Sequence, residues 1–102
     1  SDMTGSYGAE AAYILIQDSY DRGDFEKVES QVYAFSDAGS GQVYWLAKSF
    51  MVLGDSFVER EEYEQAKATF ESVRDGYMPA SSDDDVLDNV NMRLRKLEEL
   101  MN

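Results

Sequence analysis

The stretch Phe50-Met51-Val52-Leu53-Gly54-Asp55-Ser56-Phe57, followed by Ala66-Lys67-Ala68-Thr69-Phe70 and then Pro79, decides the reading of this chain. Its apolar residues recur three and four apart rather than alternating, which is the helical period. A glycine inside a helix costs about 1 kcal/mol relative to alanine. Gly54 nevertheless sits among large apolar residues, where the missing Cβ lets a second helix approach closely. Ala66 is expected to be the small residue facing that approach, with Phe57 and Phe70 filling the remaining volume. The spacing predicts a helix over 42–60 and another from the Glu61-Glu62 turn to about residue 77.

Working outward, the same period predicts a first helix over 9–22, with Ala12, Leu15, Ile16 and Ser19 on one side and Gly23 as its left-handed stop. Asp24 is a plausible N-cap for a second helix, whose stripe Phe25, Val28, Val32 and Phe35 runs to about residue 38, where Gly39-Ser40-Gly41 breaks it. The third helix is the most apolar and should be central. Its apolar positions include Val43, Tyr44, Trp45, Leu46, Ala47 and Phe50. The stripe Tyr63, Ala66, Phe70, Val73 and Tyr77 marks the fourth. A fifth is expected over 82–101, with Asp83, Asp84 and Asp85 in its first turn, where carboxylates meet free N–H groups and the positive end of the helix dipole.

Composition bounds the function. A chain of 102 residues, 43% apolar and 29% charged, fits one small globular domain. Residues 1–8 are read as a cloning remnant or disordered tail, and the piece as part of a longer protein. Residues 9–102 form a single helical domain: hairpin 9–38, hairpin 42–77 and capping helix 82–101. Twenty-one acidic residues against nine basic ones give a net charge of −12, which argues against nucleic acid or an anionic membrane as partner. With neither Cys nor His, the chain has no means to a disulfide, a Cys/His zinc site or a His-based catalyst. No apolar run approaches the ~20 residues of a membrane span.

Sliding the chain against itself places Asp24-Phe25-Glu26 on Glu62-Tyr63-Glu64 and Leu15 on Leu53, so helices one and two repeat as helices three and four. The second hairpin, with Phe50-x2-Leu53-Gly54-x2-Phe57, Ala66-x3-Phe70 and Pro79, resembles the tetratricopeptide repeat, whose pattern is aromatic-x2-Leu-Gly-x2-Tyr, Ala-x3-Phe, Pro. The first hairpin is a degenerate copy: Ala12 stands at the first aromatic position, Ile16 at the glycine, Ser19 at the tyrosine, and Val28-x3-Val32 at Ala-x3-Phe. The resemblance implies an all-α superhelix of two hairpins plus a capping helix, stacked right-handedly around Trp45, Phe50, Leu53, Phe57, Ala66, Phe70 and Leu94. Tyr44-Trp45-Leu46-Ala47-Lys48-Ser49-Phe50 and the acidic turn before the last helix look like the C-terminal end of long bacterial proteins of this family, some of them in the cell envelope.

In that family the first helix of each hairpin lines a concave groove that holds a peptide or a partner's helix. Here those positions are Glu10, Tyr13, Gln17, Tyr20 and Asp21, then Lys48, Met51, Asp55, Val58 and Glu59. The plain alternative is that Tyr13 and Met51 are buried between helices and the rest is solvated surface. A carboxylate clamp does not fit these residues, and an acidic, aromatic groove prefers a basic or apolar protein or peptide. Leu87, Val90, Leu94, Leu97 and Met101 form a heptad-type seam, either a face covering the fourth helix or a homodimer contact, with Arg93, Arg95 and Lys96 facing water. The run Asp83-Asp84-Asp85 with Asp88 lacks the alternation and glycine of a calcium loop. Glu61-Glu62 with Glu64 has no apolar pocket to separate two carboxyl pKa values. No enzyme motif is present, and neither a metal nor a cofactor is expected.

Overall fold

The protein, seen here in a computed structural model that describes residues 5–39 and 41–102, is helical wherever the three-and-four spacing runs. Its elements are α1 (Ser6–Asp21), α2 (Phe25–Asp37), α3 (Val43–Glu59), α4 (Tyr63–Gly76) and α5 (Val86–Met101). Residues 1–4 of the expected tail, and Ser40 of the glycine break, lie outside the described residues. Residues 6–8 belong to α1, which therefore starts three residues earlier than its apolar pattern.

The two hairpin turns are built alike. After α1, the Gly23 N–H donates to the Tyr20 carbonyl (2.9 Å) and the Asp24 N–H to the Ser19 carbonyl (2.9 Å). After α3, Glu61 donates to Val58 (2.9 Å) and Glu62 to Phe57 (2.8 Å). Both are the double bond of a Schellman stop, which needs a left-handed residue just past the helix. Gly23 supplies it at φ 78° without strain, whereas Glu61 adopts φ 59° despite its side chain. Asp24 then caps α2 by accepting the Lys27 N–H at 3.3 Å. Glu62, its counterpart at α4, makes no such side-chain bond.

Helix α3 touches all four other helices, while α1 and α2 reach neither α4 nor α5. The odd-numbered helices thus lie side by side in one layer, with α2 and α4 seated behind them. The molecule measures 42 × 33 × 19 Å, and its thinnest dimension matches two helices about 10 Å across. One core runs through it, with Ile16, Val28, Val32, Phe35, Leu53, Ala66, Phe70 and Val90 essentially inaccessible. Trp45, Phe50 and Leu94 pack against this core while remaining partly exposed. A Cβ built on Gly54 would lie 2.7 Å from Cζ and 2.8 Å from Cδ1 of Phe70, so the missing Cβ is occupied by that ring. The buried Ser49 and Ser56 hydroxyls donate to the Trp45 and Leu53 carbonyls of their own helix (2.8 and 2.7 Å), leaving no orphan polar atom there.

Two expectations are corrected. Leu15 does not share the buried side of α1 and is exposed. The fifth helix starts at Val86, not residue 82, because the Asp84 carboxylate takes the Val86 N–H at 2.9 Å and holds 81–85 as a turn ahead of the helix. Asp83, Asp84 and Asp85 are therefore not first-turn residues; Asp88 is. The Leu87, Val90, Leu94, Leu97 and Met101 seam is used inside the chain: Val90 and Leu97 are buried, Leu87 and Leu94 pack on the core, and only Met101 is exposed. Helix α5 lies along α4, covering the face a terminal helix would leave wet.

Candidate functional site

Where α1 meets α3, helical spacing sets out a row on α1. The Tyr13 hydroxyl donates to Gln17 Oε1 at 3.4 Å, and Gln17 Nε2 donates to Asp21 Oδ1 at 3.0 Å, each four residues on. Tyr13, Gln17 and Tyr20 are half-buried, and Asp21 and Glu10 are exposed. The Tyr20 ring packs tilted on Phe25 with centroids 5.6 Å apart. Burial, then the charges of Asp55 and Glu59, push the Tyr20 hydroxyl above its ordinary value of 10.0, so at neutral pH it is a neutral phenol.

Across on α3, the expected groove residues divide. Met51 is buried and offers nothing to a partner, as the plain alternative had it. Val58 is half-buried and Glu59 exposed. Asp55 is bound from α5: Arg93 Nε and Nη2 donate to its two oxygens at 2.9 and 3.1 Å in a fork-to-fork pair. Arg93 therefore does not face water as expected. Burial raises the Asp55 pKa above its ordinary 3.8 despite that guanidinium. Asp55 and Arg93 stand 38 residues apart, the same interval that separates Gln17 from Asp55. One more step of the repeat would have pointed to Arg93.

The N-terminal half of α3 carries a cluster not anticipated as a unit. Trp45 meets Tyr13 of α1 (centroids 5.5 Å, tilted) and Tyr44 edge-on (5.1 Å). The Lys48 ammonium lies 5.3 Å from the Tyr13 ring centre, 5.4 Å from Tyr44 and 5.8 Å from Trp45. Tyr44 and Trp45 stand four and three residues before Lys48, a pairing legible from helix geometry, whereas Tyr13 joins them only through packing. The Tyr44 hydroxyl also donates to Asp85 at 3.4 Å, tying α3 to the turn before α5. In the same turn, Asp84 accepts from the Tyr77 hydroxyl, whose pKa is raised by burial and by that carboxylate.

Elsewhere, an apolar cleft of about 240 Å³ opens between α3 and α4, lined by Val43, Leu46, Ala47, Phe50, Ser72, Val73, Gly76 and Tyr77. A smaller one lies between α1 and α2 at Ala12, Leu15, Ile16, Gln31 and Ala34. Neither includes a residue of the α1–α3 row. Among the described residues no three acidic side chains are placed to hold a metal ion, and no helix is long and apolar enough to cross a membrane. No protein-family model, curated protein or solved structure matches this chain.

Proposed function

We propose that this chain is a non-catalytic interaction module of the tetratricopeptide-like kind, which holds a basic or apolar peptide or partner helix against the surface formed by α1, α3 and α5. The observation that carries the reading is the line of half-buried polar and aromatic side chains, Tyr13, Gln17 and Tyr20 on α1 with Tyr44, Lys48 and Asp55 on α3, along the open side of one helical layer. Tyrosines combine rigid apolar area with a polar tip, the chemistry interfaces favour. Asp55 and Arg93 tie α3 to α5, and Tyr13 packs on Trp45 to tie α1 to α3, so the surface is already assembled and less ordering is needed on binding.

The test is a pull-down from lysate of the organism that carries the protein, at low and moderate salt, comparing the parent with a Tyr13→Ala/Tyr20→Ala variant of equal melting temperature. A polypeptide retained by the parent, lost by the variant and weakened by salt supports the groove. Equal retention by both removes it.

A second reading has its own support: the chain forms one end of a longer helical array. Positions of α1 that correspond to buried positions of α3 are exposed, Ile14 at 55% against Val52 at 5% and Leu15 at 59% against Leu53 at 1%. A hairpin stacked on α1 as α1 and α2 stack on α3 would cover them.

A further inference from the structure

We propose that Tyr13, Tyr44 and Trp45 form a binding site for a basic side chain of the partner, arginine above all, and that Lys48 fills this site in the free protein. The inference rests on the groove reading for the nature of its ligand, a polypeptide.

The negative faces of aromatic rings attract a cation within about 6 Å of the ring centre, most strongly over Trp. Here three rings from two helices converge on one ammonium at 5.3 to 5.8 Å. Among the described residues no carboxylate ion-pairs with Lys48, although the chain has 21 acidic residues. The rings alone hold this cation, so the site selects positive charge without selecting a particular anion. Asp55 is already matched by Arg93 and is not free to draw Lys48 away.

The occupant is replaceable. Lys48 is half-buried on a flexible four-carbon stem, which can carry its ammonium into water. A guanidinium is planar, more weakly hydrated and stacks on rings, so it gains more from the same cage. Exposed Glu10, one turn before Tyr13, and the net charge of −12 draw basic segments toward the site. In the bound state the partner's arginine lies over the rings and Lys48 is displaced to solvent.

Trp45 is the only tryptophan, so its fluorescence reports on the cage directly. The experiment titrates acetyl-(Arg-Ala)4-amide, and acetyl-(Glu-Ala)4-amide as comparison, into the wild type and into Lys48→Met, Lys67→Met and Lys48→Met/Tyr44→Leu, each with an unchanged melting profile. Lys67 is exposed on α4, so its variant makes the same change of charge away from the rings. Vacating the cage is expected to tighten arginine-peptide binding by about tenfold in Lys48→Met, with little change in Lys67→Met and loss of the gain when Tyr44 is also removed. Equal tightening by both lysine variants, or none by Lys48→Met, overturns the proposal. So does a glutamate peptide that binds the wild type and not Lys48→Met, since Lys48 would then be an anchor for anions. If a lysate polypeptide still depends on Tyr13 and Tyr20 while Lys48→Met gains nothing, the cage falls and the groove stands. A Lys48→Met gain without Tyr-dependent capture supports the cage and removes the groove.

Discussion

The two hairpins share a backbone plan and differ in what surrounds them. Their turns superimpose hydrogen bond for hydrogen bond, Gly23 matching Glu61 and Asp24 matching Glu62. Their side chains divide the interior volume differently. The second hairpin couples the absent side chain of Gly54 with the large ring of Phe70, whereas the corresponding places in the first carry the mid-sized Ile16 and Val32, all of them buried. Interiors fill to a fixed density, so a loss at one site requires a gain at its neighbour, and two solutions serve the same backbone. Arginines past the first helix show the effect of position. Arg60 of the second hairpin reaches Glu29 of α2 at 3.1 Å and lies 5.1 Å from the centre of the Phe57 ring. Arg22 of the first instead pairs with Asp18 of its own helix at 3.0 Å, well exposed.

The comparison breaks most readily at Phe70. Phe70→Ala is expected to cost about 3–5 kcal/mol by urea melt, a large part of the 5–15 typical of a domain, because Gly54 leaves nothing to collapse into the cavity. Val32→Ala, its counterpart, should cost only about 2 kcal/mol, from two lost methyl groups and a smaller void. Equal losses would mean that the two interiors are not alternative solutions. Next come the leucines: Leu53→Ala is expected to lose about 2–5 kcal/mol and Leu15→Ala less than about 0.5, since only the former is buried. A Leu15→Ala loss comparable to that of Leu53→Ala would show the α1 face already covered in solution.

A smaller effect sharpens the likeness of the turns. Glu61→Gly should raise stability by up to about 1 kcal/mol, and Gly23→Ala lower it by a similar amount, because both positions need a left-handed residue. If Glu61→Gly is neutral or destabilising, the turn after α3 depends on that side chain rather than on conformation. The smallest effect concerns Asp55, which pairs with Arg93 of α5 where its counterpart Gln17 bonds Tyr13 and Asp21 of its own helix. Its folded pKa lies above the ordinary 3.8, so between the two values the folded chain holds more protons than the unfolded one. The resulting contribution favours folding below that ordinary value and is lost as pH rises through the folded pKa. Urea melts from about pH 4 to about pH 7 should therefore show the advantage of wild type over Asp55→Asn shrinking as pH rises. An advantage that grows with pH would mean that the Arg93 bonds outweigh burial.

Much of the fold was legible because helix period and turn residues are local. Gly23, Asp24 and Gly54 marked a stop, a cap and a close approach that all proved real, and Val28, Val32 and Phe35 faced the core as their spacing implied. The start of α5 was not legible, because Asp84 has the same composition signal whether it lies inside a first turn or bonds Val86 ahead of it. On the candidate surface, Tyr13, Gln17 and Asp21 could be aligned by counting along one helix. Lys48 was separable from its neighbours only once Tyr13 was brought across from α1.

By itself, the sequence determined five helices, two repeated hairpins, the site of a close helix contact at Gly54 and a strongly acidic composition, since each follows from interactions within a few residues or from a sum of charges. The tertiary structure decided which equivalent positions are covered: Val52 and not Ile14, Leu53 and not Leu15, Arg93 bound to Asp55 and not solvated, three rings around Lys48. Burial depends on which elements lie on either side of a helix, and identical periodicity in α1 and α3 cannot encode that, among the described residues, α3 packs against helices on both sides and α1 on one.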